Sequence, residues 1–265
     1  MHAIVCIKQV PDSTNVRINP ETNTLMREGV ESILNPFDEY ALEEGLRLHD
    51  AGARLSVISM GPPQAAAVLR EALARGADDA YLLSDRAFAG ADTLATGYAL
   101  SCAIKKIDPN PDLILFGKQA IDGDTAQVGP GVAETLGLPL LAYVRDLSVS
   151  KDGAFTATVA MDDGDEVVEG RLPAVMTVVK EAHTPRFAPL SGAIAARRAK
   201  TTTWSAKDVE ADTARCGLNG SPTKVVRIFP PPVKGNAERI DARKDASRAA
   251  EAVIAKLAEK GIVRK

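Results

Sequence analysis

The segment Gly117-Lys118-Gln119-Ala120-Ile121-Asp122-Gly123-Asp124-Thr125-Ala126-Gln127-Val128-Gly129 carries residue types suited to receiving an anionic oxygen. It follows the apolar run Asp112-Leu113-Ile114-Leu115-Phe116, which reads as a buried strand, and leads into a helical period from Ala126 to Leu136. The first N–H groups of a helix have no partner within it and carry a partial positive charge, so a phosphate is stabilised there without a lysine. Gly123 leaves the backbone open to close approach. The same residues also read as plain capping, with Asp124 or Thr125 closing the helix start. A metal site or acid–base pair at Asp122 and Asp124 is the weaker reading, because no histidine or third acid accompanies them. Capping and contact with ribose hydroxyls suit them better.

These residues need a frame, and the first 140 positions supply one by alternating strand-like and helix-like segments, the pattern of a parallel α/β sheet. Strands are expected at 3–8, 54–60, 80–83 and 112–116, with helices at 38–49, 64–75, 92–107 and 126–136. In such a sheet the segments after each strand gather at the carboxyl edge, where ligands bind. Four polar segments converge there: 9–12, 61–64, 84–96 and 117–128. Asn35-Pro36-Phe37-Asp38 joins them and reads fully as a helix start, with Asn at N-cap, Pro at the first helical position and an acid in the first turn. Neither GxGxxG after the first strand nor GxxxxGK[ST] is present, which disfavours a dinucleotide dehydrogenase and a P-loop ATPase.

The chain of 265 residues, 45% hydrophobic and 25% charged, can bury a sizeable core. A net charge of -3 argues against nucleic acid as the main partner. Cys6, Cys102 and Cys216 are far apart, and the three histidines are scattered, so neither disulfide framework nor metal cluster is expected and a cytoplasmic setting fits. No segment has the length or apolarity of a signal peptide or membrane span. Past residue 140 the texture changes to strands at 141–150, 154–160 and 166–172 joined by hairpin chemistry, then an apolar strand at 173–179. A short basic helix at 193–200 carries Arg197, Arg198 and Lys200, read as a solvated face or a dock for an acidic partner. The stretch 216–235, with Pro230-Pro231-Pro232, reads as an extended arm and 244–259 as a final helix, an arrangement suited to gripping a second chain. The division expected is an α/β nucleotide-binding domain at 1–200 and an arm with its helix at 201–265.

Taken together, Val5-Cys6-Ile7-Lys8-Gln9-Val10-Pro11-Asp12, Asn35-Pro36-Phe37-Asp38, Met60-Gly61-Pro62, Gly76-Ala77-Asp78, Gly117 to Asp122, Leu172-Pro173-Ala174-Val175 and Pro185 to Leu190 resemble the β subunits of electron-transfer flavoproteins over nearly the whole chain. The resemblance implies a Rossmann-like sheet of the adenine-nucleotide alpha-hydrolase type. It implies a nucleotide site formed by Cys6, Asn35, Asp38, Met60, Gly117, Gln119, Asp122, Gly123, Asp124, Thr125, Ala126, Gln127 and Val128. It also implies an obligate heterodimer with an α subunit that carries FAD. The segment around Leu190, flanked by Arg197 and Arg198, resembles the family's recognition loop for an acyl-CoA dehydrogenase or a related acceptor such as a quinone reductase.

In the AMP-holding type the turn reads Asp-Asp-Asp-Cys-Asn-Gln-Thr; here Gly123 replaces an acid and Ala126 the asparagine. The chain resembles instead the electron-bifurcating and nitrogen-fixation-associated group, which implies a second FAD in the β site, NADH (NAD) as donor and no catalytic residue of the protein's own. Ser84 to Thr96 is similar to that group's signature. Its small residues and the polar groups of Asp92, Thr93 and Thr96 suit a flavin ring, whereas without the resemblance it reads as a loop capped by Asp92. The alternatives are an AMP-holding, non-bifurcating β subunit, a stand-alone nucleotide-binding regulator of the universal-stress type and, lowest, an ATP-using transferase. That last lacks the Ser-Gly-Gly-x-Asp-Ser loop.

Overall fold

A computed structural model describes residues 1–12, 17–18, 25–26, 32–226 and 239–263. Its first strand, β1 (His2–Cys6), is buried throughout. Ala3 and Val5 join one apolar cluster while Ile4 and Cys6 join another, because successive side chains leave a strand on opposite faces. A strand covered on both faces requires a layer of helices on each side.

Strands β2 (Gln9–Pro11), β3 (Arg17–Ile18), β4 (Leu25–Met26) and β5 (Ser32–Leu34) precede α1 (Pro36–Asp50). Three strand–helix units follow: β6 (Arg54–Met60) with α2 (Ala66–Arg75), β7 (Asp79–Leu83) with α3 (Thr93–Ile107), and β8 (Leu113–Gly117) with α4 (Val128–Leu136). The remainder contains β9 (Leu140–Val149), β10 (Ala154–Met161), β11 (Gly164–Arg171), β12 (Ala174–Val178), α5 (Leu190–Ala196), β13 (Thr201–Trp204) and α6 (Ala246–Glu259).

Nine strands form one sheet in the order β11-β10-β9-β12-β8-β1-β6-β7-β13. Neighbours from β9 to β13 run parallel, and β10 and β11 extend the β9 edge as antiparallel hairpins. Leu42, Leu46, Val68 and Leu69 bring α1 and α2 onto one face; Leu100, Ile104 and Val132 bring α3 and α4 onto the other. Among the described residues no helix is long and apolar enough to cross a membrane.

The chain divides into two compact units, residues 1–228 and residues 229–265, and the described segment from 201 to 226 belongs to the first. The reason lies in Thr201-Thr202-Thr203-Trp204. Its β-branched residues form β13 and cover the open edge of β7, and Trp204 stacks on Tyr81 with ring centroids 4.7 Å apart. The second unit contains α6, near the helix expected at 244–259. The proline-rich part of the expected arm, 227–238, lies outside the described residues.

Candidate functional site

From β1 the chain passes to β6 and β7, then returns to the other side of β1 to place β8. Connections leaving two strands at such a reversal diverge, and the crevice between them is where open α/β sheets bind ligands. A polar lattice surrounds it. Asp38, 6% exposed in the first turn of α1, accepts the Lys8 N–H on Oδ2 at 2.7 Å, while the Lys8 carbonyl accepts the Asn35 N–H at 2.9 Å. A Cβ at position 117 would lie 2.4 Å from Asp38 Oδ1 and 2.5 Å from the Phe37 carbonyl carbon. Glycine is therefore what lets α1 meet the end of β8.

Burial pushes the Asp38 carboxyl up to about 7, against the opposing pull of the Asn35 side chain, the Lys8 N–H and charge, and the Gly117 N–H. Burial first, and the neighbouring Asp38 second, hold the Cys6 thiol well above its ordinary value. Cys6 thus packs rather than reacts, and Met60, at the end of β6, packs against the same cluster.

Asn35 does not cap α1 as its position suggests; its side chain makes no capping bond there. Its Nδ2 donates to the Gln119 carbonyl at 2.8 Å and its Oδ1 accepts the Ile121 N–H at 3.1 Å, so the buried amide brackets the turn after β8. Both oxygens of Asp122 accept from Lys8 Nζ, at 2.6 and 2.9 Å. Gln119 Nε2 donates to Asp124 Oδ1.

The turn itself departs from expectation in an informative way. Helix α4 starts at Val128, two residues later than the pattern predicts; neither Asp124 nor Thr125 caps it, and its N-cap Gln127 makes no side-chain capping bond. Nor does Gly123 carry the unusual backbone. Positive φ falls on Asp124 and Ala126, both at 54°, and Gln127 is right-handed. Alternation of hand from residue to residue turns successive N–H groups toward one concave point, an anion-binding arrangement. Among the described residues the N–H groups of Thr125, Ala126, Gln127 and Val128 have no protein acceptor. This concave set of free donors at a helix start fits a phosphate group.

Around the loop before α3 the picture differs. Asp92 caps α3 through Oδ1, accepting the N–H groups of Leu94 at 3.0 Å and Ala95 at 3.1 Å. Its Oδ2 accepts the Thr223 hydroxyl at 2.8 Å and N–H at 3.1 Å, and the Asp92 N–H donates to Ser221 Oγ at 2.8 Å. Burial pushes this carboxyl up, but the bonds from Ala95, Thr223 and Leu94 outweigh it and leave the group below its ordinary value. Thr93 and Thr96 are half-buried, three residues apart on one helix face, and their hydroxyls make no hydrogen bond among the described residues. These two, rather than Asp92, are free to meet a ligand. The clasp from Ser221 and Thr223, like the Lys8 brace, is invisible to sequence reading because the partners lie over a hundred residues apart.

The segment at 183–200 holds α5 against α2. Arg186 pairs with the buried Glu43 at 2.9 Å and with Asp50 at 2.9 Å, and His183 pairs with Glu44. Leu190 is 78% exposed beside Phe187 at 94% and Ile194 at 51%, with Arg197 and Arg198 exposed at the helix end. Ile194, four residues after Leu190 in α5, could have been found from helical spacing; Phe187 lies before the helix and carries no such signal.

The electron transfer flavoprotein domain matches residues 22–209. The chain is 48% identical over 265 residues to the protein of Acetobacterium woodii named caffeyl-CoA reductase-Etf complex subunit CarD, spanning 99% of this chain and 100% of that one. It is 50% identical over 260 residues to electron transfer flavoprotein subunit beta of Clostridium acetobutylicum, spanning 98% of each. Protein FixA of Bradyrhizobium diazoefficiens is 48% identical over 262 residues, spanning 96% of this chain and 90% of that one. The strand reversal, with the turn after β8 beside it, is thus carried by a sequence shared along its length with these proteins, and the chain belongs to the electron transfer flavoprotein family, among its β subunits.

Proposed function

We propose that this chain binds FAD in the crevice between β1 and β8, receives electrons from NADH, and passes them onward in a complex with an α subunit, by flavin-based bifurcation. The observation that carries the reading is the row of N–H groups from Thr125 to Val128, unpaired among the described residues, with left-handed backbone at Asp124 and Ala126. They bind the diphosphate; Thr93 and Thr96 offer hydroxyls to the ring, and the small residues around them admit its flat face. When bound, the flavin supplies two-electron acceptance from a nicotinamide and release in single-electron steps. The protein's own residues orient and shield it, and no side chain need move a proton as a catalytic acid or base.

The similarity to CarD and FixA favours FAD over AMP in this site, since the turn Asp122-Gly123-Asp124-Thr125-Ala126-Gln127-Val128 lacks the acid and the asparagine of the AMP-holding type. The unit at 229–265 grips the α subunit. Leu190 anchors a redox partner, an acyl-CoA dehydrogenase or a quinone reductase, with Arg197 and Arg198 steering the encounter.

Nucleotides released from the co-purified complex test this directly. Two FAD per complex, with NADH reducing the β flavin, is the expected result; one FAD and one AMP would return the protein to a simple shuttle. Bulky apolar residues at Thr93 and Thr96 should lower flavin content to one per complex. Leu190→Ala should slow electron delivery to the partner at unchanged flavin content.

A further inference from the structure

We infer that Lys8 is the positioning residue that holds the phosphate turn in its anion-binding shape, an inference that rests on reading the turn as a nucleotide-phosphate seat. The backbone of Lys8 is fixed at both ends, its N–H by Asp38 at 2.7 Å and its carbonyl by the Asn35 N–H at 2.9 Å. Its side chain therefore starts from a rigid root. From there Nζ reaches both oxygens of Asp122, at 2.6 and 2.9 Å, across 114 positions of sequence.

An ion pair with 45% and 30% of its side chains exposed adds little to global stability. The junction of β1 with α1 is already secured by the backbone bonds of Lys8, so the pair is not needed to hold those elements together. What it fixes is the place of Asp122, two residues before the left-handed Asp124 and four before the left-handed Ala126. Non-glycine residues keep that conformation only where surrounding ties over-determine it. The ties here are the Asn35 bracket on 119 and 121, the Gln119–Asp124 bond and the Asp124 N–H to the Ala120 carbonyl at 2.8 Å. Among the described residues the Lys8–Asp122 pair is the ion pair that ties the turn to the segment following β1. Lys8 acts through Asp122, not on the nucleotide.

The test uses the full-length chain in wild-type, Lys8→Met, Lys8→Arg, Asp122→Asn and Lys8→Met/Asp122→Asn forms, with two readouts. The first is amide exchange over residues 119–127, which needs no ligand. The second is the affinity of added AMP and FAD for chain stripped of nucleotide. Lys8→Met and Asp122→Asn should each speed exchange in the turn and weaken binding about fivefold to tenfold, the double variant should be no worse than either single one, and Lys8→Arg should restore most of the affinity. Asp122→Asn binding as well as or better than wild type, while Lys8→Met binds worse, would make Lys8 a direct phosphate ligand and overturn the inference. Unchanged exchange in Lys8→Met overturns it as well. A wild-type chain that binds neither nucleotide while Lys8→Met still loosens the turn would sink the nucleotide reading and leave the brace standing.

Discussion

Two helix starts in this protein have similar sequences and opposite fates. At the start of α3 stand Gly90, Asp92 and Thr93; ahead of α4 stand Gly123, Asp124 and Thr125. At α3 the acid caps the helix and receives two further hydrogen bonds from Thr223, so its carboxylate is committed within the protein. At α4 the acid is left-handed and bonded sideways by Gln119, its N-cap Gln127 makes no side-chain bond, and among the described residues four consecutive N–H groups have no acceptor. A capped helix start is structural material; an uncapped one, held in shape from outside, can take a foreign anion.

The largest way to break this contrast is through Gly117. Gly117→Ala places a methyl group against backbone atoms of Phe37 and Asp38 that cannot yield, so it should cost on the order of 3 kcal/mol in urea unfolding. Its counterpart is Gly123, where a Cβ meets nothing within 4 Å; its outcome closes the series.

Next in size is the pH response of the lattice under the turn. Because burial raises the Asp38 carboxyl from 3.8 to about 7 in the folded protein, the folded state holds a proton that the unfolded chain has released across that window. The contribution of Asp38 is fully present below about pH 4 and is lost as pH rises through 7, the loss amounting to a few kcal/mol, on the order of the shift itself. Asp38→Asn should remove that fall. Urea midpoints of the two forms should therefore differ in slope between pH 4 and 7; parallel profiles would show that Asp38 is not buried as described.

Asp92→Ala sharpens the other side of the comparison. Losing the cap on α3 together with the bonds to Thr223 should cost about 2 kcal/mol. Thr223→Val keeps the cap and removes only the hydroxyl's bond, so about 1 kcal/mol is expected, with faster proteolysis after residue 221 as the second readout. Were Asp92→Ala to leave stability unchanged and strip flavin instead, the two helix starts would have the same role.

The smallest effect on stability belongs to Gly123→Ala, within about 0.5 kcal/mol of wild type. Gly123→Trp should be nearly as well tolerated by the fold yet exclude the nucleotide, seen as loss of bound cofactor after purification. Full retention of nucleotide would move the phosphate seat elsewhere.

The sequence by itself determined the parallel sheet, the order of its strand–helix units, the antiparallel extension and the convergence of four polar segments at one edge. Those features follow from local periodicity, from apolar runs such as Leu113–Gly117, and from turn residues such as Gly153, all of which are written in neighbouring positions. Family likeness, rather than local pattern, is what singled out Cys6, Met60 and the Asn35 segment as site candidates. Only the tertiary structure decided what each residue there does. Asn35 brackets a turn instead of capping its own helix, Asp92 is committed to Thr223, Lys8 reaches Asp122, and Thr201–Trp204 closes the sheet. The physical reason is common to all four: a side chain with several hydrogen-bonding choices takes the partner that burial places beside it, and that partner is set by the packing of distant elements.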